Sequence, residues 1–171
     1  MCFSATLHQQ NITTMRRSSK AHWNGDLSTG HGELTTDSLV LNKTRYSFNT
    51  RFADGIGTNP EELLAAAHAG CFTMALTYAL SQAGLKVADL DTTAVVTIAP
   101  SKGSISDIEL TLDASPIEGL SEEAFLEYAI GAKQNCLLSK ALTGVVISLN
   151  VNYKGLHQHI DGNAKPVDHV S

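Results

Sequence analysis

The stretch from Asn59 to Leu80, "NPEELLAAAHAGCFTMALTYAL", constrains the fold more than any other part of the chain. Asn59 is a good N-cap, Pro60 suits the first helical position, and Glu61 and Glu62 put negative charge in the first turn. A helix therefore begins here, and Gly84 stops it. Leu64, Ala67, His68, Cys71, Met74, Ala75 and Tyr78 make one helical stripe, while Leu63, Phe72, Leu76 and Leu80 cover other sides. A helix apolar nearly all round is buried all round, in the core of a monomer or wrapped between two subunits. Its apolar content approaches that of a membrane span. Thr73, Thr77, the capped start and the absence of basic flanks favour a buried core helix and no membrane.

The segments around it alternate between strand and helix signals. "AHWNGDLSTGHGELTTDS" has the glycine punctuation of a hairpin. "RYSFNTRF" alternates, with Tyr46, Phe48, Thr50 and Phe52 on one side, and predicts a strand before the loop "ADGIGTNP". Strands follow at "TTAVVTIA" and "SDIELTLDA", the latter with Ile108, Leu110 and Leu112 on one face. Residues 121–133 predict a helix, a break at "KQN" leads to a short helix "CLLSKAL", and "GVVISLNVNY" turns Val145, Ile147, Leu149, Val151 and Tyr153 inward. The plan is α+β, with antiparallel sheets packed around long central helices rather than a regular βαβ alternation. The expected organisation is a flexible extension over 1–20, one domain over 21–154 and a flexible polar tail over 155–171.

A chain of 171 residues with 43% hydrophobic residues and a net charge of −5 is an ordinary soluble domain that can bury a sizeable core. The basic cluster Arg16, Arg17 and Lys20 is local and gives no reason to expect a nucleic-acid partner. No apolar signal segment follows Met1, so the expected location is cytoplasmic. Three cysteines, an odd count with no CxxC, argue against a disulfide framework and against a zinc knuckle.

The chemistry rests on two of those thiols. Cys71 lies within the apolar helix, where burial raises a thiol's pKa and dulls it. It is either a small core residue or a nucleophile whose activating charge comes from elsewhere. Cys136 follows Asn135, a good N-cap, and is expected in the first turn of a helix, where N–H groups and the helix dipole favour a thiolate. One buried thiol and one at a helix start suggest a redox pair. His68, at i−3 from Cys71, is assigned a structural or tuning role ahead of a Cys–His nucleophile pair. His157 and His159 form an HxH that, with His169, falls in the polar tail; no metal site is assigned, and Trp23 is read as a packing residue.

At these residues the sequence resembles the OsmC subfamily of the OsmC/Ohr hydroperoxide peroxidases. The resemblance rests on "AHWNGDLSTGHGELTTDS", "YSFNTRFADGIGTNPEELLAAAHAGCFTMAL" and "DTTAVVTI", with support from "AKQNCLLSKAL", and covers about residues 20–154. It implies an OsmC-like fold in an intertwined homodimer. It also implies a peroxidase of oxidative and osmotic stress defence that turns organic hydroperoxides into alcohols without a bound cofactor. By the same resemblance Cys71 matches the peroxidatic cysteine and Cys136 the resolving cysteine, which would close a Cys71–Cys136 disulfide. Arg51 matches the arginine that stabilises the thiolate, Glu61 the glutamate that orients it, and an external dithiol, of lipoyl type, the reductant. The family carries proline directly after the resolving cysteine; Leu137 stands there instead, which loosens the expected helix start. The chain also begins ahead of the family's usual start, which makes Met15 a candidate initiator.

Two other classes remain in view: a Cys–His hydrolase or transferase, for which no oxyanion-hole motif is present, and a non-enzymatic binding module holding a lipid-like ligand in the apolar pocket. Helix geometry adds one constraint. Glu61 and Cys71 are ten residues apart, about 15 Å along a helix axis, and the Glu61 side chain leans away from Cys71. If both serve one site, either the helix is broken or Glu61 comes from a second chain.

Overall fold

In the computed structural model, residues 14–53, 55–154 and 156–162 are described, in two compact units that divide after Thr58. The first holds a three-stranded antiparallel sheet of β1 (Ser19–Asn24), β2 (His31–Thr36) and β3 (Thr44–Tyr46). The expected hairpin forms, with Ser19 opposite Thr36 and Asn24 opposite His31. Gly25 supplies the left-handed φ of 89° at its turn. Gly32 leaves room for an aromatic ring: a Cβ there would lie 2.2 Å from the Tyr46 ring. Trp23 packs its ring 5.5 Å from that of Tyr46 and donates from Nε1 to the Gly25 carbonyl.

The strand expected across Phe48 and Phe52 is not formed. After β3 the chain closes into a short 3-10 helix, Asn49–Arg51. The cause is local side-chain competition for backbone groups. The Thr50 hydroxyl donates to the Ser47 carbonyl at 2.9 Å, the Ser47 Oγ accepts from the Thr50 N–H, and the alternation is overridden by a turn.

The second unit opens with α1 (Pro60–Gln82), one unbroken helix. Asn59 Oδ1 accepts from the Glu62 N–H at 2.8 Å, as the capping pattern demands, and the chain leaves through Gly84 at φ 75°. A mixed sheet follows in the order β4 (Leu90–Ala99), β5 (Ser104–Ala114), β6 (Val146–Tyr153), β7 (Leu156–Ile160). β4–β5 and β6–β7 pair antiparallel, but β5 and β6 run parallel. That pairing is possible because α2 (Glu122–Asn135) and α3 (Leu137–Ala141) supply the long crossover a parallel pair requires.

The inward registers match their sequence periods. Ile108, Leu110 and Leu112 of β5 and Ile147, Leu149, Val151 and Tyr153 of β6 are buried against Phe72, Leu76 and Leu80 of α1 and Phe125, Ala129 and Ala132 of α2. Phe125 stacks on Tyr153 with ring centroids 4.0 Å apart, and the Tyr153 hydroxyl accepts from the Ile117 N–H at 2.9 Å. The buried tyrosine thus keeps its polar end satisfied.

Three expectations change here. α2 does not break at "KQN" but continues to Asn135, whose Nδ2 donates back to the Gly131 carbonyl. Residues 156–160, expected within a polar tail, form β7: strand β6 offers its open edge, Lys154 takes a left-handed turn, and Ile160 enters the core. His157 Nδ1 bonds Asn152 Oδ1 at 2.9 Å across this pair, and His159 engages Asn150 and Asp161. Finally, α1 is buried along one stripe only, His68, Phe72, Leu76 and Leu80, while Met74 and Tyr78 are 69% and 68% exposed in the single chain. Residues 1–13 and His169 lie outside the described residues.

Candidate active site

Cys71 sits at mid-length on α1, partly buried, and Cys136 is buried at the junction between α2 and α3. The folding of α2 and α3 back onto α1 brings the two thiols, 65 positions apart in sequence (136 minus 71), into direct interaction. Cys136 is not inside the first turn of α3, as the sequence suggests; it is the N-cap residue itself, with non-helical backbone at φ −56°, ψ 128°. Asn135 is already committed to α2, so the cap falls one residue later. α3 begins at Leu137 without the family's proline, and the Leu137 side chain is 74% exposed.

The surroundings push the two thiols in opposite directions. Burial, then the Cys136 side chain, hold Cys71 above the ordinary thiol value, and the N–H groups of Leu138 and Leu137 oppose them only in part. Burial also pushes Cys136 up. There the Ser139 N–H, the Cys71 side chain, the Ser139 hydroxyl and the Leu138 N–H together outweigh it, so Cys136 lies below the ordinary thiol value. Neither N–H makes a full capping bond to the sulfur; both act as nearby dipoles.

His68 is fully buried one turn before Cys71. Its Nε2 lies 2.9 Å from the Ser139 hydroxyl, and its Nδ1 is buried without a hydrogen-bond partner among the described residues. Burial lowers its pKa, so the ring is neutral. Ser139 was missed in the sequence. The available signal was its place three residues after the N-cap, where a side chain returns toward the cap.

Arg51 ends the 3-10 helix of the first unit, and its side chain is exposed there. Glu61 occupies the first turn of α1, partly buried. Because α1 is continuous from Pro60 to Gln82, Glu61 and Cys71 of one chain stand about 15 Å apart along its axis. The fold therefore joins Cys71 to Cys136 and does not join Glu61 to the Cys71 of its own chain. Between α1 and α2 lies a groove of about 690 Å³ lined by Ala75, Tyr78, Ala79, Tyr128, Ala132 and Asn135 among others. It begins one turn beyond Cys71 and ends beside Cys136. Among the described residues no three His, Cys, Asp or Glu side chains converge as a metal group.

A mixed α+β frame with two facing thiols beside an apolar groove defines a dithiol protein. The comparisons with known proteins make the class specific. The family described as OsmC-like protein matches residues 53–150. Over 130 residues the chain is 39% identical to the peroxiredoxin OsmC of Escherichia coli strain K12, covering 75% of this chain and 91% of that one. It is 35% identical over 102 residues to an organic hydroperoxide resistance protein-like protein of Staphylococcus aureus strain USA300, covering 58% and 73%. The crystal structure of the organic hydroperoxide resistance protein OhrB of Bacillus subtilis superposes with a TM-score of 0.59 at 26% identity, covering 79% of this chain and 98% of that one. The chain belongs to the OsmC-like family.

Proposed function

We propose that the protein is a thiol peroxidase that reduces organic hydroperoxides to alcohols, in defence against oxidative and osmotic stress. The observation that supports this reading most is the direct meeting of Cys71 and Cys136, one partly accessible and one buried with a lowered pKa. The names of the E. coli and S. aureus relatives support the same chemistry.

The Cys71 thiolate attacks the distal peroxide oxygen. The O–O bond breaks, the alkoxide leaves and takes a proton as alcohol, and Cys71 becomes a sulfenic acid. Cys136 then attacks that sulfur, forming the S–S bond and displacing hydroxide, which is protonated to water. An external dithiol, of lipoyl type, reduces the disulfide by two exchange steps and is itself oxidised. Since burial holds Cys71 protonated within its own chain, the first step needs a cation. We assign that role to Arg51, whose planar guanidinium can hold a thiolate and a carboxylate together, and the orienting role to Glu61. The groove between α1 and α2 suits the hydrocarbon part of the substrate.

The unbroken α1 and its exposed Met74 and Tyr78 support an obligate homodimer in which Glu61 of one chain serves the Cys71 of the other. The same groove supports a second reading, a binding module for a lipid-like ligand that uses no thiol chemistry. Titration of free thiols with cumene hydroperoxide separates the two. The peroxidase reading requires two thiols lost per hydroperoxide reduced, with the alcohol released. An unchanged thiol count overturns it and leaves the binding module.

A further inference from the structure

We infer that His68 is a positioning residue for Cys136 that acts through Ser139: its ring N–H holds the serine hydroxyl so that the hydroxyl proton is directed at the Cys136 sulfur. This rests on the peroxidase reading only for its consequence in turnover; the arrangement itself rests on the His68–Ser139 contact and on the place of Ser139 three residues after the cap Cys136.

Proton counting supplies the argument. His68 is fully buried on α1, and its ring, being neutral, carries a single N–H. Nδ1 is the nitrogen without a partner. A buried N–H left unpaired is a rarer and costlier arrangement than an unprotonated nitrogen left unpaired. The proton therefore belongs on Nε2, which donates to the Ser139 Oγ 2.9 Å away. With its oxygen accepting from His68, the serine hydroxyl keeps its own proton for Cys136, the cap residue three positions before it on the same helix start, and a hydroxyl dipole aimed at the sulfur favours the thiolate. The opposite direction, serine donating to histidine, would leave the buried Nδ1–H without an acceptor and the sulfur without its donor.

Other ionisable groups nearby are accounted for. Cys71 is the titratable group that faces Cys136 from α1. On α3, Lys140 Nζ donates to Asn135 Oδ1, and on α2 Lys133 Nζ turns to the Asp161 carbonyl. The relay thus serves the second chemical step. A Cys136 poised as thiolate attacks the sulfenic acid without first transferring its proton to solvent, which a buried thiol reaches poorly.

The test follows the 13Cβ resonance of Cys136 in reduced, cysteine-labelled full-length protein through a pH titration, without peroxide. In Ser139→Ala and in His68→Leu the Cys136 inflection is expected to rise by about one pH unit, the scale of losing one hydrogen bond to a charged group. Ser139→Thr, which keeps the hydroxyl, is expected to restore the wild-type value. Circular dichroism identifies the folded variants, and His68→Gln, which keeps a donor, serves in place of His68→Leu with no shift expected. An inflection that stays at the wild-type pH in Ser139→Ala, or a shift that Ser139→Thr fails to reverse, overturns the relay. Since no peroxide is present, failure here leaves the peroxidase reading standing, and failure of peroxide turnover leaves this titration unaffected.

Discussion

Cys71 and Cys136 face each other from α1 and the start of α3, and each alters the other's ionisation: Cys136 helps hold Cys71 protonated, while Cys71 helps make Cys136 acidic. The pair is asymmetric because the Ser139 hydroxyl and N–H assist only Cys136. Within one chain, Cys136 is the more acidic thiol of the pair, and burial keeps Cys71 protonated.

Removing Cys136 therefore makes Cys71 more acidic. In Cys136→Ala the Cys71 titration, read from its 13Cβ resonance, is expected to inflect at a lower pH than in the wild type. Burial of Cys71 remains, so the inflection stays on the alkaline side. A Cys71 inflection that rises in this variant contradicts the pairing.

His68 links the site to stability. Burial holds its folded-state pKa below the ordinary histidine value of 6.5, so at acid pH the unfolded chain binds a proton the folded chain does not. Its contribution is complete above that value and is lost as pH falls below it toward the folded pKa. Urea midpoints measured from about pH 7.5 down to about pH 5 should decline, and the decline should be shallower in His68→Gln. Parallel slopes for the two proteins would remove His68 as a source of the acid sensitivity.

Much of this was legible in the sequence because the relevant signals are local. The cap Asn59–Pro60–Glu61–Glu62 and the period-2 faces of β5 and β6 are set by neighbours within a few residues, and the structure repeats them. Two of the errors share a cause. The alternation of Phe48 and Phe52 lost to Thr50 and Ser47 bonding the backbone, and the α3 cap moved to Cys136 because Asn135 bonds back into α2. In both, one polar side chain chose a backbone partner, which no hydrophobic period reveals. β7 depends on the edge of β6, and the meeting of Ser139 with His68 spans 71 positions (139 minus 68), so neither pairing is set by near neighbours in sequence.

The shared-site dimer can be tested by complementation. Cys71→Ser and Glu61→Ala chains, each inactive alone, are refolded together. A heterodimer joins one intact Cys71 to the partner's intact Glu61, so one site in two should recover. No recovered activity, with heterodimers confirmed by native mass spectrometry, contradicts the shared site. Tyr78→Asp, on the exposed face of α1, should shift the protein to monomer and abolish turnover.

Arg51→Lys keeps the charge but loses the planar fork. Hydroperoxide consumption should fall on the order of 100-fold, the scale of removing one oriented electrostatic contact from a transition state. Circular dichroism and thermal melting should remain close to wild type, since Arg51 is an exposed residue at the end of a short turn. Wild-type rates in the folded variant would take Arg51 out of the site.

The central claim is that Cys71 carries the peroxide oxygen and Cys136 removes it. In Cys136→Ser, one equivalent of cumene hydroperoxide followed by dimedone should give a single adduct that peptide mass mapping places on Cys71. The wild type treated the same way should show no adduct but a Cys71–Cys136 disulfide with Cys2 free. An adduct on Cys2, or no adduct on any cysteine of the variant, contradicts the account.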